Sequence, residues 1–314
     1  MAGRSLTFHL PTEAALNNIL MLIDGLCRAG EQEWPSRPAL LIAAAETHDL
    51  PLRNEIVDFS QRLGLITAEA PFSLGPRAHI LLHYAEPVAR DVLHFMAYSA
   101  WSPDIPAAQV PFWSYSHTVD LLWNSNSVAL KETMSALVED VVGDSRNVFV
   151  DVDGYNPEKV SYSQKSVRGI LLWLGAVDPP VLIEGAFRRR QTCSAELIAL
   201  ALGLAARQAG IGTGNDLLLS QERREAVCRI CLLEPGYLDR LLDWAIPRFP
   251  ELLAPGMRGG SYGRSVRLLR IPAVEDLAQG RKYPRGHVAG DLRDVRQDTA
   301  QSHYVHMQRS GSSG

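Results

Sequence analysis

The 314-residue, 34.6 kDa chain carries 31 basic and 35 acidic residues for a formal net charge of −4, with 46% hydrophobic and 21% charged side chains. That is two to three times the usual domain of ~100–150 residues, with enough apolar surface to offset the ordering entropy, which excludes global disorder and a lone small module. The charge balance excludes a polybasic protein, so any nucleic-acid surface must be local.

Of the basic residues only Lys131, Lys159, Lys165 and Lys282 are lysines, an imbalance that a GC-rich genome explains more simply than recognition chemistry. Four cysteines, Cys27, Cys193, Cys228 and Cys231, are too few and too uneven for a disulfide scaffold, so a reducing cytoplasm is expected. Residues Met1–Pro11 lack the pattern of a signal peptide, and the apolar runs Ala39–Ala45 and Ile170–Val177 fall short of the ~20 residues that span a bilayer, so no membrane partner is expected.

From Thr12, the positions Ala15, Ile19, Leu22, Ile23 and Leu26 recur at helical spacing and Gly30 closes the run. A second helix is predicted over about Arg37–Thr47 and a third over about Leu52–Leu63, with His48–Pro51 as the turn between them. The third ends in Leu63-Gly64-Leu65-Ile66, where Gly64 supplies a left-handed residue and the two that follow return to the core. After a loop with Pro71, Gly75 and Pro76, the run His79–Tyr84 reads as a strand. Three short helices, a tight turn and a hairpin-like exit over about 12–85 resemble the winged-helix superfamily, a resemblance of element order that implies a third helix able to enter a DNA groove.

From Pro87 to Gly143 the pattern is helical and rich in aromatics: Phe95, Tyr98, Trp101, Phe112, Trp113, Tyr115 and Trp123, read as core. Asn147–Val152 reads as a strand. A helix over Ser163–Leu174, a second Leu-Gly-apolar-apolar exit at Leu174–Val177, a Glu184-Gly185 turn and Ala186–Arg190 give a second winged-helix-like unit. Helices follow at Ser194–Gly210, Ser220–Leu233 and Gly236–Ala245, then an apolar segment Phe249–Ala254, a Gly- and Arg-rich loop from Gly256 and a strand at Val266–Ile271. The expected fold is mainly α with small β-hairpin wings, as two winged-helix-like units joined by helical segments. The expected divisions are 1–86, a connector 87–128, the second unit 129–193, a helical bundle with loop and strand 194–276, and a disordered tail 277–314.

Two candidate chemistries stand out. Val148–Gly154 resembles the first motif of haloacid-dehalogenase-type phosphatases, which implies Mg²⁺-dependent phosphohydrolysis with Asp151 as nucleophile and Asp153 as general acid. Gly212–Asp216 is similar to that family's late metal-binding motif. Tyr155 stands where that family has Thr, and the neighbouring segments read as helix and wing, so an Asx turn is the simpler reading. Cys228-x-x-Cys231 supplies only two of the four ligands of a structural zinc site and sits on a helix, so buried thiols are expected and no metal or cofactor is assigned.

The arginine pattern points the other way, to a non-catalytic nucleic-acid-binding or adaptor protein within a larger assembly. The Ser163–Leu174 helix of the second unit presents Ser163, Gln164, Lys165 and Arg168 in its N-terminal half. Its wing ends in Arg188, Arg189 and Arg190, and Arg258, Arg264, Arg267 and Arg270 surround Tyr262 in a stretch free of acids. Guanidinium groups bridging phosphates, with DNA favoured over RNA, are the expected contacts; the partner otherwise is protein subunits.

Overall fold

The computed structural model describes residues 7–30, 33–102, 109–125, 129–152, 155–156, 159–257 and 263–278. Asp153, Arg258 and Tyr262 lie outside them, as does 279–314. The mainly α fold with small β elements holds: eleven α-helices and two small antiparallel sheets are found among these residues. No helix among them is long and apolar enough to cross a membrane.

The first unit runs α1 (Leu16–Ala29), α2 (Arg37–Ala45) and α3 (Asn54–Arg62). Gly30 closes α1 at φ +73°, and the Ser36 hydroxyl accepts the Ala39 amide to start α2. Gly64 at φ +71° ends α3; the Leu65 amide reaches back to the Ser60 carbonyl (2.9 Å), so the predicted exit forms and Leu63, Leu65 and Ile66 are buried. Trp34, between α1 and α2, pairs antiparallel with Phe72, and Ile66 pairs with Leu74. The order is helix, strand residue, helix, helix, strand, strand.

The same order returns twice. In the second unit, α6 (Val110–Ser125) is followed by Ala129, then α7 (Leu130–Val148), α8 (Gln164–Gly175), β1 (Leu182–Ile183) and β2 (Ala186–Phe187). Ala129 pairs with Ala186 as Trp34 does with Phe72. Glu184 and Gly185, both at positive φ, make the predicted hairpin turn. The third unit runs α9 (Ala195–Gln208), β3 (Asp216–Leu218), α10 (Gln221–Ile230), α11 (Leu238–Arg248), β4 (Leu253–Pro255) and β5 (Ser265–Leu268), its sheet ordered β3–β5–β4. The expected helical bundle with one strand gains two more strands here; β3 and β4 are too short for their period to show, and each exists because β5 pairs with it.

Between the first two units stand α4 (Pro76–Leu82) and α5 (Glu86–Ser99). The expected strand at His79–Tyr84 is therefore a helix. Pro76 at the first helical position fixes φ, the Gly75 carbonyl accepts the Ala78 amide, and Ala78, Ile80 and Leu81 turn inward. The expected strand at Asn147–Val152 is likewise the end of α7 and a turn, in which the Phe149 amide bonds to the Ser145 carbonyl. Phe149 is buried edge-on to Phe8 and Trp113 while Val148 and Val150 face solvent, an asymmetry the bare apolar run did not reveal. The second Leu-Gly exit also differs, because Gly175 is the last residue of α8 and has no positive φ. Two residues of the expected tail, Leu277 and Ala278, belong to an ordered segment: Val274–Ala278 forms a 3₁₀ turn in which Leu277 is buried and its carbonyl accepts the Tyr84 hydroxyl (3.0 Å).

Two helices hold the units together. In α5 every residue from Asp91 to Ala97 is buried, and in α9 every one from Ala195 to Gly203, so both are surrounded rather than amphipathic. The α5 helix packs on α1, α4, α6 and α9, and α9 on α10 and α11, so the buried side chains form one core. Phe95, Phe112, Trp113, Tyr115 and Trp123 belong to it, as the aromatic pattern predicts.

Candidate nucleic-acid interface

Helix α8 occupies the third-helix position of the second unit. Ser163 and Ser166 cap it, the Ser163 amide donating to Ser166 Oγ at 3.3 Å. Its inner face is Ser166, Val167, Gly169, Ile170, Trp173 and Leu174. Trp173 Nε1 donates to the Ala14 carbonyl (2.8 Å), and a Cβ on Gly169 would stand 2.2 Å from the Leu10 carbonyl oxygen, so the N-terminal segment lies directly against this face. The outer stripe is Gln164, Lys165, Arg168 and Leu172, all exposed. Gln164 Nε2 donates to Ser135 Oγ on α7 (3.1 Å), while Lys165 and Arg168 make no ion pair among the described residues. His9, behind Ser166, is held below its usual pKa by burial first and by the Lys165 ammonium second.

The third helices of the other units differ in charge. On α3, Glu55 and Asp58 outnumber Arg62, and Asp58 is 2.6 Å from Arg37. On α11, the Asp239 carboxylate accepts both terminal nitrogens of Arg224 (3.0 and 2.7 Å), which holds its carboxyl below the ordinary range, and Asp243 takes Arg264 at 2.6 Å. Helix α8 has two cations and no acid.

The structure separates the predicted arginines. Arg188, at the end of β2, is 53% exposed with Glu184 3.9 Å away. Arg189 lies over the Trp123 ring at 4.0 Å and donates twice to the Trp123 carbonyl, with Glu234 at 3.6 Å. Arg190 is buried: Nη1 meets Asp91 Oδ1 at 2.8 Å and the Asp178 carbonyl at 3.0 Å, and Nε donates to the Cys231 carbonyl. A guanidinium held inside by a carboxylate reaches no phosphate, so Arg190 leaves the predicted surface and Arg189 is a packing residue. In the third unit Arg264 pairs with Asp243, Arg267 with Asp216 at 2.7 Å and Arg270 with Asp276 at 2.8 Å. Of the predicted residues that lie among the described ones, Ser163, Gln164, Lys165, Arg168 and Arg188 remain as an exposed set on one unit.

No protein-family model, no curated protein and no solved structure matches this chain.

Of the phosphatase-like motifs, Asp151 is exposed in the turn after α7, and Asp216, in β3, is bound to Arg267 of β5. The strand that would aim Asp151 does not form. No cluster of three or more potential metal ligands occurs among the described residues. Cys228 and Cys231 are buried as expected, and burial pushes the Cys228 thiol up to about 12. What sequence reasoning missed were the acids that face the arginines, because Asp91, Asp216 and Asp243 lie 99, 51 and 21 residues from Arg190, Arg267 and Arg264. No local pattern announces such pairs.

Proposed function

We propose that the chain is a non-catalytic nucleic-acid-binding adaptor. It engages a duplex, DNA rather than RNA, through the unit of α6, α7, α8 and the β1–β2 wing, and joins a larger assembly through its other faces. The observation that carries this reading is the outer stripe of α8, with Gln164, Lys165 and Arg168 exposed and no acid on the helix, together with the exposed residue Arg188 on the wing of the same unit. In helix-turn-helix modules the N-terminal half of the recognition helix meets base edges while neighbouring elements grip the backbone. The positive end of the helix dipole adds to the attraction for phosphate. The repeated order of helix, strand, helix, helix, strand, strand supports the winged-helix reading of the units. The ion-paired residues on the outer faces of α3 and α11 suit protein contacts, and the four free thiols suit the reducing cytoplasm.

Anisotropy of a labelled duplex at several salt concentrations tests this. The parent should bind, and replacing Lys165, Arg168 and Arg188 together by Ala should lower the magnitude of the salt slope by about 2–3, at ~0.9 per phosphate contact. Replacing Arg264 and Arg267 should leave the slope unchanged. Absence of binding by the parent at low salt ends the nucleic-acid reading.

A further inference from the structure

Away from α8, at the junction of α5, α6 and α9, lies a cleft of about 240 Å³. Its polar wall comes from one face of α6, where Ser116, His117 and Asp120 fall within a turn, and from Gln208 of α9; its aromatic wall is Tyr98 and Trp101 at the end of α5. The Asp120 carboxylate is the centre. Tyr98 donates its hydroxyl to Oδ1 at 2.6 Å, and Arg229 approaches Oδ2 only to 3.6 Å. His117 is stacked on Trp113 at 4.8 Å, nearly parallel, and its Nε2 is 2.8 Å from Asp144. Asp120 thus holds one close donor and one distant guanidinium, and the rest of its acceptor capacity opens on the cleft that it lines.

We propose that this cleft binds a primary alkylammonium ion, held by Asp120 and lined by the rings of Tyr98 and Trp101. An ammonium supplies a positive charge and three donors, which suit the remaining lone pairs of Asp120 and the Ser116 hydroxyl. Aromatic faces attract a cation by their quadrupole while packing on its alkyl chain. The volume lies below the ~300–1,000 Å³ of pockets for drug-sized ligands, which limits the occupant to a few heavy atoms. Burial holds the Asp120 carboxyl above its ordinary range despite Tyr98 and Arg229. The ammonium has two sources, a free amine or a lysine side chain offered by a partner protein.

Calorimetric titration of the full chain with n-butylammonium chloride tests the site, with 1-butanol as the uncharged control. Saturable 1:1 binding of the amine and none of the alcohol is expected. Asp120→Asn keeps an acceptor for Tyr98 and should weaken the affinity about 10- to 100-fold, the range for a lost hydrogen bond to a charged group. Trp101→Leu, which leaves the carboxylate untouched, should weaken it about 2- to 5-fold. Competition by Nα-acetyl-lysine methylamide assigns the site to a lysine side chain; binding of butylammonium without such competition assigns it to a free amine. The proposal is overturned by no saturable binding to the parent up to about 50 mM amine, by equal binding of 1-butanol, or by folded Asp120→Asn and Trp101→Leu proteins that both bind like the parent.

Discussion

Replacing Asp91 by Ala should cost about 3–5 kcal/mol of folding stability, the range for removing one partner of a buried ion pair. Asp91 and Arg190 side chains are each 1% exposed, so water cannot take the place of the lost carboxylate. Asp91 works at both oxygens: Oδ1 receives Arg190 Nη1, and Oδ2 receives the Ser194 amide at the start of α9, both at 2.8 Å. Its loss strands a guanidinium and a helix-terminal amide together. Arg190 has no spare acceptor to turn to, since its Nη2 is already buried without a partner. Its backbone bonds to Leu232 and Glu234 also tie it to the end of α10, so it cannot swing out without breaking that link. Urea unfolding followed by circular dichroism should show the loss of ΔG, and a thermal melt a Tm lower by about 6–10 °C at roughly 2 °C per kcal/mol for a chain this long. Joint Asp91→Leu and Arg190→Met replacement, which removes both charges and fills the volume, should recover most of it. An Asp91→Ala protein within about 1 kcal/mol of the parent refutes the buried pair and with it the seating of 178–194 on α5.

Three further outcomes are expected. Gly64→Val should destabilise by about 1–2 kcal/mol through positive φ alone, because a side chain there meets nothing closer than Arg77 at 3.6 Å, whereas Gly169→Ala should cost more, its methyl driven into the Leu10 backbone; paired thermal melts with the two in the reverse order would contradict the local geometry. His94 is fully buried, accepting from the Tyr115 hydroxyl and donating to the Ile230 carbonyl, and burial lowers its pKa from 6.5 to about 4. The unfolded chain then binds that proton more tightly, so stability is full above about pH 6.5 and falls by up to about 3 kcal/mol as pH drops to about 4, a fall that His94→Gln should flatten in unfolding titrations. Thiol labelling of the folded protein should modify Cys27, which is exposed, and spare Cys193, Cys228 and Cys231 until denaturant is added; fast labelling of Cys228 would place α10 at the surface.

Features that depend on a few neighbouring residues were legible in the chain itself. The Ser163, Ser194 and Ser220 starts, the Leu63–Ile66 exit, the Glu184-Gly185 turn and the aromatic core each follow from capping, positive φ or burial within one or two turns. Of the candidate interface, Gln164, Lys165 and Arg168 could be placed on one stripe because helical spacing i, i+1, i+4 is a local property. Tertiary structure decided the rest. Whether His79–Tyr84 or Asn147–Val152 became helix or strand depended on which neighbour took their apolar side chains, and the strands of the third unit exist only through their pairing with β5. The arginines divide in the same way. Their positions are written in the sequence, but whether each meets solvent or a carboxylate was set by chain closure over tens of residues, which brings Asp91 to Arg190 and Asp243 to Arg264 while leaving Lys165 and Arg168 facing water.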